Sequence, residues 1–577
     1  MPDESLKILH LSDLHIDVEE GRSEGIELAL FAALRAGQPW SLDLVVVTGD
    51  ILDTASIGVE SALRAVRAWR AQLCAALGKR VPLILLPGNH DRRTIGIFSP
   101  QRDKLFRALK AGLSEPDVWV AGCALPQLAE VMPPELTRAL PFDVCTYDTT
   151  FLGTGKLSAG GTLRADDLLQ LASWLEPVVA GSPPRPLVLL MHHHLVPTPV
   201  TDTVAAGGGA ELAALPRFLL HKVAPWLIAH GDREELFMTA LGSGSALSLL
   251  HALRRPVVVL HGHKHCPAAR LVRSPEERSG DVLLVSAGSA GLAERWSTEG
   301  ADEDRPMTMW PSFNLVTYST TGSGGALHVE TVAFKPEIQV TETGTQTELI
   351  SRPLVTATQQ GAFWDLTPQP ERGPDLDGRL WQLTRAHYRL KVSPGTPERW
   401  DLECEQEVRA APDRTEPGPY SEPIFLLRDA VLENPEDFPK RMLSMPGRVR
   451  YRITGGLCRS ANEAHRAVGP DEAFANIELA CRHTSRVAEL TLTAPDGFEL
   501  TPFGSVMDLT TGQLRPVPLE RTGSSWTLRY PDCPARTLLR ASGFKTEVVT
   551  DGVVVETHEG NPLDFIAAYQ QRFKVAL

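Results

Sequence analysis

The stretch RPVVVLHGHKHCP, residues 255–267, places three histidines within five positions directly after an aliphatic run. A continuous run of Val and Leu is typical of a strand that is buried on both faces. Five similar runs occur elsewhere before residue 335: LKILHLSDLH (6–15), LDLVVVTGDILD (42–53), VPLILLPGNHD (81–91), RPLVLLMHHHL (185–195) and DVLLVSAGSAG (281–291). Segments between them, such as SALRAVRAWRAQLCAALG (61–78), carry apolar residues at helical spacing. This alternation predicts an α/β layered domain.

The chain changes character twice after this domain. Two runs, FNLVTYSTT (313–321) and GALHVETVAF (325–334), predict an antiparallel edge that closes the first domain, which we assign to residues 1–335. Residues 336–375 are rich in Thr, Gln, Pro and Gly and predict a linker or a strap across that domain. Residues 376–577 contain alternating runs with turn signals and predict a mostly β accessory domain of unknown role, finished by a helix over 561–576.

Bulk composition excludes several classes of protein. The formal net charge of -14 is divided equally between residues 1–335 and the rest, so no basic half exists to bind a nucleic acid backbone. The eight cysteines form no CxxC pair, which argues against a zinc ribbon or a disulfide scaffold. We find no apolar stretch of the roughly 18–20 residues that cross a bilayer, and we predict a cytoplasmic protein without membrane attachment.

Polar residues follow five of the aliphatic runs at the point where each predicted strand ends. In open α/β sheets the carboxyl ends of parallel strands converge on one crevice, so such residues can meet in space. The residues are Asp13, His15, Asp50, Asn89, His90, Asp91, His192, His193, His194, His263 and His265.

A set of imidazoles, carboxylates and one amide, without thiolate, suits borderline to hard divalent ions such as Mn, Fe, Zn or Co. Such a set is larger than one ion needs, and two ions that share a carboxylate are the natural distribution. The sequence therefore predicts a site for two divalent metal ions.

These blocks also carry a resemblance. The order DLH, GD, GNHD, an HH strand end and GHKH resembles the calcineurin-like metallophosphoesterases over about residues 6–335. The segments at 147–175 and 246–265 are most similar to the branch of class III cyclic-nucleotide phosphodiesterases. The resemblance implies a four-layer α/β/β/α domain with a binuclear metal centre.

The resemblance also implies a role for each residue. Asp13, His15 and His265 would bind one ion. Asn89, His192 and His263 would bind the other, and Asp50 would bridge the two. His90 would stay off the metals and act on the substrate as the catalytic residue beside Asp50, whereas Asp91 would orient a neighbour. His193 remains open as the alternative to His192 or as a substrate contact, since alternation along a strand sends adjacent side chains to opposite faces.

The function that follows is the hydrolysis of a small phosphodiester, such as a cyclic nucleotide, by in-line attack of a metal-activated water. One alternative is a metal-dependent nuclease that works with a protein partner, because the resemblance extends to nucleases of that kind. Another alternative is a metal-free interaction scaffold. The long segment around residues 203–240 predicts a partly helical cap that selects the substrate. Residues 376–577 are a candidate surface for a protein partner or a second copy of the chain.

Overall fold

The fold is taken from a computed structural model of the chain. It describes residues 5–16, 24–36, 41–53, 58–91, 104–113, 115–122, 129–131, 140–150, 161–175, 184–196, 240, 243–273, 279–293, 295–296, 307–321, 324–341, 344–367, 381–392, 399–410, 424–425, 427–428, 431–432, 447–458, 474–481, 485–493, 500–534 and 537–545. The predicted cap over 203–240, except for residue 240, and the predicted final helix over 561–576 lie outside these residues.

Helices occur in the first half of the described chain. They are α1 (Glu24–Ala36), α2 (Val59–Leu77), α3 (Lys104–Gly112), α4 (Ala165–Trp174) and α5 (Ser243–Ala252). None of the described helices combines the length and the apolar character needed to cross a membrane.

Strands run through the whole described chain. The first ten are β1 (Ser5–Leu11), β2 (Leu44–Val47), β3 (Leu83–Leu85), β4 (Val118–Val120), β5 (Ala129–Val131), β6 (Asp143–Tyr147), β7 (Leu187–Leu190), β8 (Val257–His261), β9 (Ala268–Val272) and β10 (Val282–Ser286). The next eight are β11 (Arg295–Trp296), β12 (Met307–Thr308), β13 (Ser312–Thr321), β14 (Gly324–Phe334), β15 (Gln339–Thr341), β16 (Gly344–Gln346), β17 (Leu349–Gln360) and β18 (Phe363–Thr367). The last thirteen are β19 (Trp381–Val392), β20 (Arg399–Ala410), β21 (Ile424–Phe425), β22 (Leu427–Arg428), β23 (Val431–Leu432), β24 (Gly447–Cys458), β25 (Phe474–Cys481), β26 (Ser485–Thr493), β27 (Leu500–Asp508), β28 (Leu514–Val517), β29 (Glu520–Thr522), β30 (Ser525–Cys533) and β31 (Thr537–Lys545).

The first sheet has the strand order β18-β17-β14-β13-β1-β2-β3-β4 among the described residues. Strands β1 to β4 are parallel, and β13, β14, β17 and β18 are added antiparallel on the far side of β1. Because β1, β2 and β3 are parallel, their carboxyl ends lie at the same edge of the sheet. The Asp13, Asp50 and Asn89 blocks therefore leave the sheet side by side.

The second sheet has the order β5-β6-β7-β8-β10-β9. Its central strands β6, β7, β8 and β10 are parallel. The histidines after β7 and β8 therefore also share one edge. All six aliphatic runs that predict buried strands form strands, and the residues of β2, β7, β8 and β10 are buried throughout.

Among the described residues, three apolar cores hold these elements together. One joins α1, α2 and α3 to the first sheet and includes Phe31 and Trp69. Another is made of residues from both sheets, with Val46 of β2 and Leu260 of β8 among them. The third joins α4 and α5 to the second sheet and includes Leu171. Burial of this apolar surface is the main term that stabilises the domain.

Two expectations for the end of the first domain need correction. Strands β13 and β14 are antiparallel as predicted, but they do not form the edge, because β17 and β18 continue the sheet beyond them. Both added strands lie within 336–375, the segment assigned to a linker or strap, which also contains the β15-β16 hairpin. The division of the chain into domains stays a prediction.

The described residues after 375 form two sheets. One has the order β22-β24-β20-β19-β26-β30-β29, with β23 paired to β24, and the other has the order β21-β25-β31-β27-β28. Most of the pairs are antiparallel, as alternating runs with turn signals predict, but β19 and β26 are parallel.

Candidate metal centre

The carboxyl ends of the two sheets face each other, and direct hydrogen bonds join them. The backbone amide of His263 donates to Asp13 Oδ2 at 3.0 Å. The Nδ1 of His192 donates to the carbonyl oxygen of Thr48 at 2.7 Å. Residues from β1, β2, β7 and β8 therefore meet at one place, and the seven predicted ligands fall into two groups around Asp50.

The first group, the His192 group, consists of Asn89, His192 and His263. The Nε2 of His192 lies 2.9 Å from Asn89 Oδ1 and 3.2 Å from His263 Nδ1. It also lies 3.4 Å from Asp50 Oδ2. Because Nδ1 of His192 gives its proton to a main-chain carbonyl, Nε2 is the nitrogen that faces these neighbours.

The second group, the His265 group, consists of Asp13, His15 and His265. The Nε2 of His265 lies 3.3 Å from Asp13 Oδ1 and 3.4 Å from His15 Nε2. Side-chain atoms of Asp13, Asp50 and His192 also lie within 4.8 Å of one another. Asp50 is therefore in reach of both groups, as a bridging carboxylate must be.

These donor atoms fit divalent cations. Two atoms that bind one ion through bonds of about 2.0–2.2 Å lie roughly 2.8–3.5 Å apart, and the distances within both groups fall in that range. Asn89 Oδ1 and Asp50 Oδ2 both face His192 Nε2, at 2.9 Å and 3.4 Å. A proton on that nitrogen, or a cation in its place, would join it to both oxygens. Buried His263 Nε2 also has no hydrogen-bond partner among the described residues.

The pKa values are consistent with the same conclusion. Burial lowers the pKa of His15, and it lowers that of His263 well below the usual range, so both rings are held in the neutral form that binds metals. Burial would raise the pKa of Asp50, but His192 and His90 bring it well below its usual value. For His192, burial lowers the pKa, whereas Asp50 and Asp13 raise it to about 9. A bound cation would replace that proton.

The backbone at this site is strained at several of the candidate ligands. A positive φ is uncommon for residues other than Gly and costs on the order of 1–3 kcal/mol. Among the described residues it occurs at Arg254 and, within the candidate ligands, at Asp13, His15, Asp50, His263 and His265. Such strain persists only where the surroundings hold it in place, and it is typical of functional sites.

Close contacts explain why the GD and GHKH motifs each contain a glycine. A Cβ at Gly49, in the GD motif, would lie 2.3 Å from His192 Nδ1, and Gly49 also has a φ of 107°. A Cβ at Gly262, in the GHKH motif, would lie 1.7 Å from Ser12 Oγ and 2.6 Å from Asp13 Oδ2. Both positions require glycine because the ligand loops approach each other too closely for a side chain.

His90 lies beside the His265 group rather than within either group. Its ring meets that of His15 edge-on at 4.8 Å between centroids, and its backbone amide donates to Asp50 Oδ1 at 2.8 Å. Its Nδ1 lies 2.8 Å from the carbonyl oxygen of Asp53. Because a carbonyl only accepts, Nδ1 carries the proton and Nε2 is the nitrogen that can exchange one.

Asp91 holds two loops together. Its carboxylate accepts hydrogen bonds from the backbone amides of Gly88 at 2.8 Å, Leu52 at 2.9 Å and Ile51 at 3.2 Å. These amides belong to the loops after β2 and β3. Asp91 therefore orients the backbone of these two loops, rather than the His90 ring, in the role predicted for it.

The three consecutive histidines do not alternate between faces, because β7 ends at Leu190 and the chain bends at 192–193. The ring centroid of His193 lies 4.5 Å from that of His263, and His193 Nδ1 lies 2.7 Å from Thr149 Oγ1. The ring of His194 packs on that of His261 at 4.3 Å. Since His192, His193 and His263 also bring donor atoms within 4.8 Å of one another, His193 remains an alternative ligand or a substrate contact.

Asp53 is a site residue that the sequence reasoning missed. Its carboxylate lies 3.6 Å from His15 Nδ1, and its carbonyl accepts from His90. The side chain is 51% exposed. Its position three residues after Asp50, on the same loop, is the sequence signal that could have identified it.

Comparison with known families agrees with this geometry. Residues 6–267 match the family of calcineurin-like phosphoesterases. This part of the chain is a calcineurin-like phosphoesterase domain. The prediction of a metallophosphoesterase, a hydrolase that uses divalent metal ions, is therefore confirmed at the level of this domain.

No curated protein matches the sequence of this chain. Solved structures that are similar to this chain include a dimetal phosphatase from Danio rerio, which is 12% identical in sequence. That match covers 60% of this chain and 99% of the phosphatase, with a TM-score of 0.31. Another is GAP50, the anchor in the inner membrane complex of Plasmodium, which is 11% identical in sequence. That match covers 61% of this chain and 88% of GAP50, with a TM-score of 0.29.

Proposed function

We propose that the chain hydrolyses a small phosphodiester, with cyclic nucleotides as the first candidates, at a pair of divalent cations. One observation carries the proposal: two groups of buried donor atoms meet at the carboxylate of Asp50. The His192 group would hold one ion, the His265 group the other, and Asp50 would contact both. The oxygen and nitrogen donors suit Mn, Fe, Zn or Co.

Two cations held in this way would make a water nucleophilic near neutral pH and would neutralise charge on the phosphoryl oxygens. The protein supplies the remaining functions. Asp50, whose Oδ1 accepts a hydrogen bond from the backbone amide of His90, would be held in place to contact both ions. His90, whose Nδ1–H donates to the carbonyl of Asp53, would act in its doubly protonated form and give the Nε2 proton to the leaving oxygen, which leaves the neutral ring.

We further propose that the domain has the four layers α/β/β/α. The core of α1 to α3 would lie outside the first sheet, the mixed core between the sheets, and the core of α4 and α5 outside the second sheet. This arrangement supports a binuclear centre because it brings the carboxyl ends of both sheets to one crevice.

The substrate and the partners are also proposals. A small phosphodiester fits a chain whose negative charge disfavours nucleic acid, and residues 376–577 are a candidate surface for a protein partner or a second copy. We propose a cytoplasmic location. The cap over 203–240, which would select the substrate, lies outside the described residues except for residue 240.

The test is a substrate panel with manganese present. Purified protein would be assayed with bis-p-nitrophenyl phosphate, cyclic AMP and single-stranded DNA, and a His90→Ala variant would be the matched control. We expect turnover of the two small diesters and its loss in the variant. Cleavage of DNA alone would favour a nuclease that works with a partner, and fewer than one ion per chain after purification with manganese would support the metal-free scaffold alternative.

A further inference from the structure

A turn far along the chain lies against the loop that carries His265. This docking turn, residues 508–514, connects β27 to β28. Hairpin turns ordinarily lie at the surface, where water satisfies their polar groups. Here Thr511 is 0% and Gln513 is 3% exposed. Such burial of a polar turn indicates that it is docked on another part of the molecule.

The docking turn is rigid through its own hydrogen bonds. Asp508 Oδ1 accepts from the backbone amide of Thr510 at 2.8 Å, and the carbonyl of Asp508 accepts from the amide of Gly512 at 2.7 Å. Gly512 has a φ of 73°, a conformation that glycine adopts without strain. The turn therefore presents a preformed surface to whatever it contacts.

That surface meets Pro267, two residues after His265. The amide of Leu514 donates to the carbonyl of Pro267 at 2.9 Å. A Cβ at Gly512 would lie 3.2 Å from Pro267 Cδ and 3.6 Å from the carbonyl oxygen of His265. On the other side of the proline, a Cβ at Gly288 would lie 3.1 Å from Pro267 Cγ. The ring is thus enclosed between the docking turn and the loop after β10.

Further bonds attach the turn to the first sheet and its neighbours. The carbonyl of Thr510 accepts from the backbone amide of Trp310 at 3.2 Å. The side-chain amide of Gln513 donates to the carbonyl of Arg352 at 3.4 Å and to that of Pro353 at 3.5 Å. The docking turn is therefore held on two sides, and its contacts with Pro267 hold the loop 265–267 in place.

The loop needs such support because His265 has a φ of 53°. A residue in this region is strained, and it keeps its conformation only when its neighbours hold it there. We infer that the docking turn is a positioning element for His265, through which the part of the chain after residue 375 sets the affinity of the ion in the His265 group. This inference rests on the proposed binuclear centre.

The test compares two glycines of the full-length protein that share a backbone conformation. Gly512→Ala adds a Cβ against Pro267, whereas Gly523→Ala adds one at a turn with a φ of 61° and nothing within 4 Å. Manganese affinity of both sites would be measured by calorimetric titration, and thermal unfolding would be followed without metal. We expect both variants to lower Tm, Gly512→Ala more so because its Cβ would lie 3.2 Å from Pro267 Cδ and from Met309 Sδ, while Gly512→Ala alone weakens one of the two ions by roughly 10–100-fold, as changes behind metal ligands do.

A second pair of variants keeps the test independent of folding. Asp508→Ala removes the acceptor for the amide of Thr510, and Asp508→Asn retains an acceptor oxygen at that position. We expect the alanine variant to weaken the same ion and the asparagine variant to restore it. Equal ion affinities in Gly512→Ala and Gly523→Ala, with two ions bound to the unmodified protein, would overturn this inference alone. An unmodified protein that binds no ion would overturn the proposed function as well.

Discussion

The two groups of candidate ligands differ in how they are held. In the His192 group the side chain of His192 has 0% exposure, and its Nδ1 donates to a main-chain carbonyl at 2.7 Å. In the His265 group the side chain of His265 is 16% exposed, and Nδ1 of His15 faces the half-exposed carboxylate of Asp53 at 3.6 Å. A partner on the backbone is immobile, whereas a surface carboxylate can turn to water.

This difference suggests that one ion is bound more tightly than the other. Partners behind metal ligands fix the tautomer and orientation of the ring and are commonly worth about 10–100-fold in metal affinity. We therefore expect the ion in the His192 group to remain when the ion in the His265 group is removed by a chelator. The following changes separate the two groups, from the largest expected effect to the smallest.

Asp50→Asn should have the largest effect because Asp50 contacts both groups. Asparagine keeps the shape and tolerates the positive φ of this position, but it lacks the charge that balances two cations. Loss of several kcal/mol of transition-state stabilisation corresponds to a decrease in kcat of at least about 10³-fold. Steady-state kinetics with manganese checks this.

A matched control for Asp50→Asn is Asp43→Asn, at an exposed residue whose carboxylate accepts a hydrogen bond from the backbone amide of Lys7. It should leave kcat within about twofold, as surface substitutions usually do. An Asp50→Asn variant with the activity of the Asp43→Asn variant would exclude the bridging role.

His192→Ala should abolish the difference in metal affinity between the two groups, because it removes the imidazole that contacts Asn89, His263 and Asp50. We expect the tighter ion to be lost and kcat to fall by about 10²-fold or more. Metal analysis of the purified variant gives the stoichiometry.

The adjacent His193→Ala variant is the control for His192→Ala, because His193 bonds to Thr149 instead. It should retain two ions, with a change in KM if the ring contacts the substrate. The assignment of His192 is wrong if His193→Ala loses the ion and His192→Ala keeps it.

Asp91→Asn should reduce stability more than it reduces the affinity of either ion directly. The carboxylate accepts three backbone hydrogen bonds in a buried place, and an amide group in its position must turn a donor toward at least one of those donors. We expect the free energy of unfolding to fall by about 2 kcal/mol. Chemical denaturation without metal measures this change, and an unchanged midpoint would contradict it.

Asp53→Asn should have the smallest effect, and only on the His265 group. The carbonyl that accepts from His90 remains, and the side-chain contact to His15 changes. We expect the affinity of the weaker ion to fall by about tenfold while the tighter ion is unaffected. Titration calorimetry separates the two ions, and an equal loss at both would contradict the separation of the groups.

The sequence predicted the parts of the site that lie next to one another along the chain. Strands β2, β3 and β7 are continuous aliphatic runs, β1 and β8 are largely aliphatic, and polar residues follow each strand closely, so both the strand and its candidate ligands can be read locally. The strands β17 and β18 were missed because they lie in a Thr- and Gln-rich segment without a long apolar run.

Features that depend on distant contacts could not be predicted. The positive φ of His265 and the docking turn that lies against Pro267 depend on residues more than 200 positions apart in sequence. The direction of His193 depends on where β7 ends, and a run of aliphatic residues sets such an end only approximately. Motifs therefore identified the candidate ligands, whereas the arrangement that holds them required the fold.

The central claim is that two cations lie on either side of Asp50. Crystals grown with manganese, measured at a wavelength that gives an anomalous signal from the metal, test it most directly. The account predicts two anomalous peaks roughly 3.5–4 Å apart, one beside His192 and one beside His265, with the carboxylate of Asp50 between them. A single peak remote from Asp50, or no peak at saturating manganese, would contradict it.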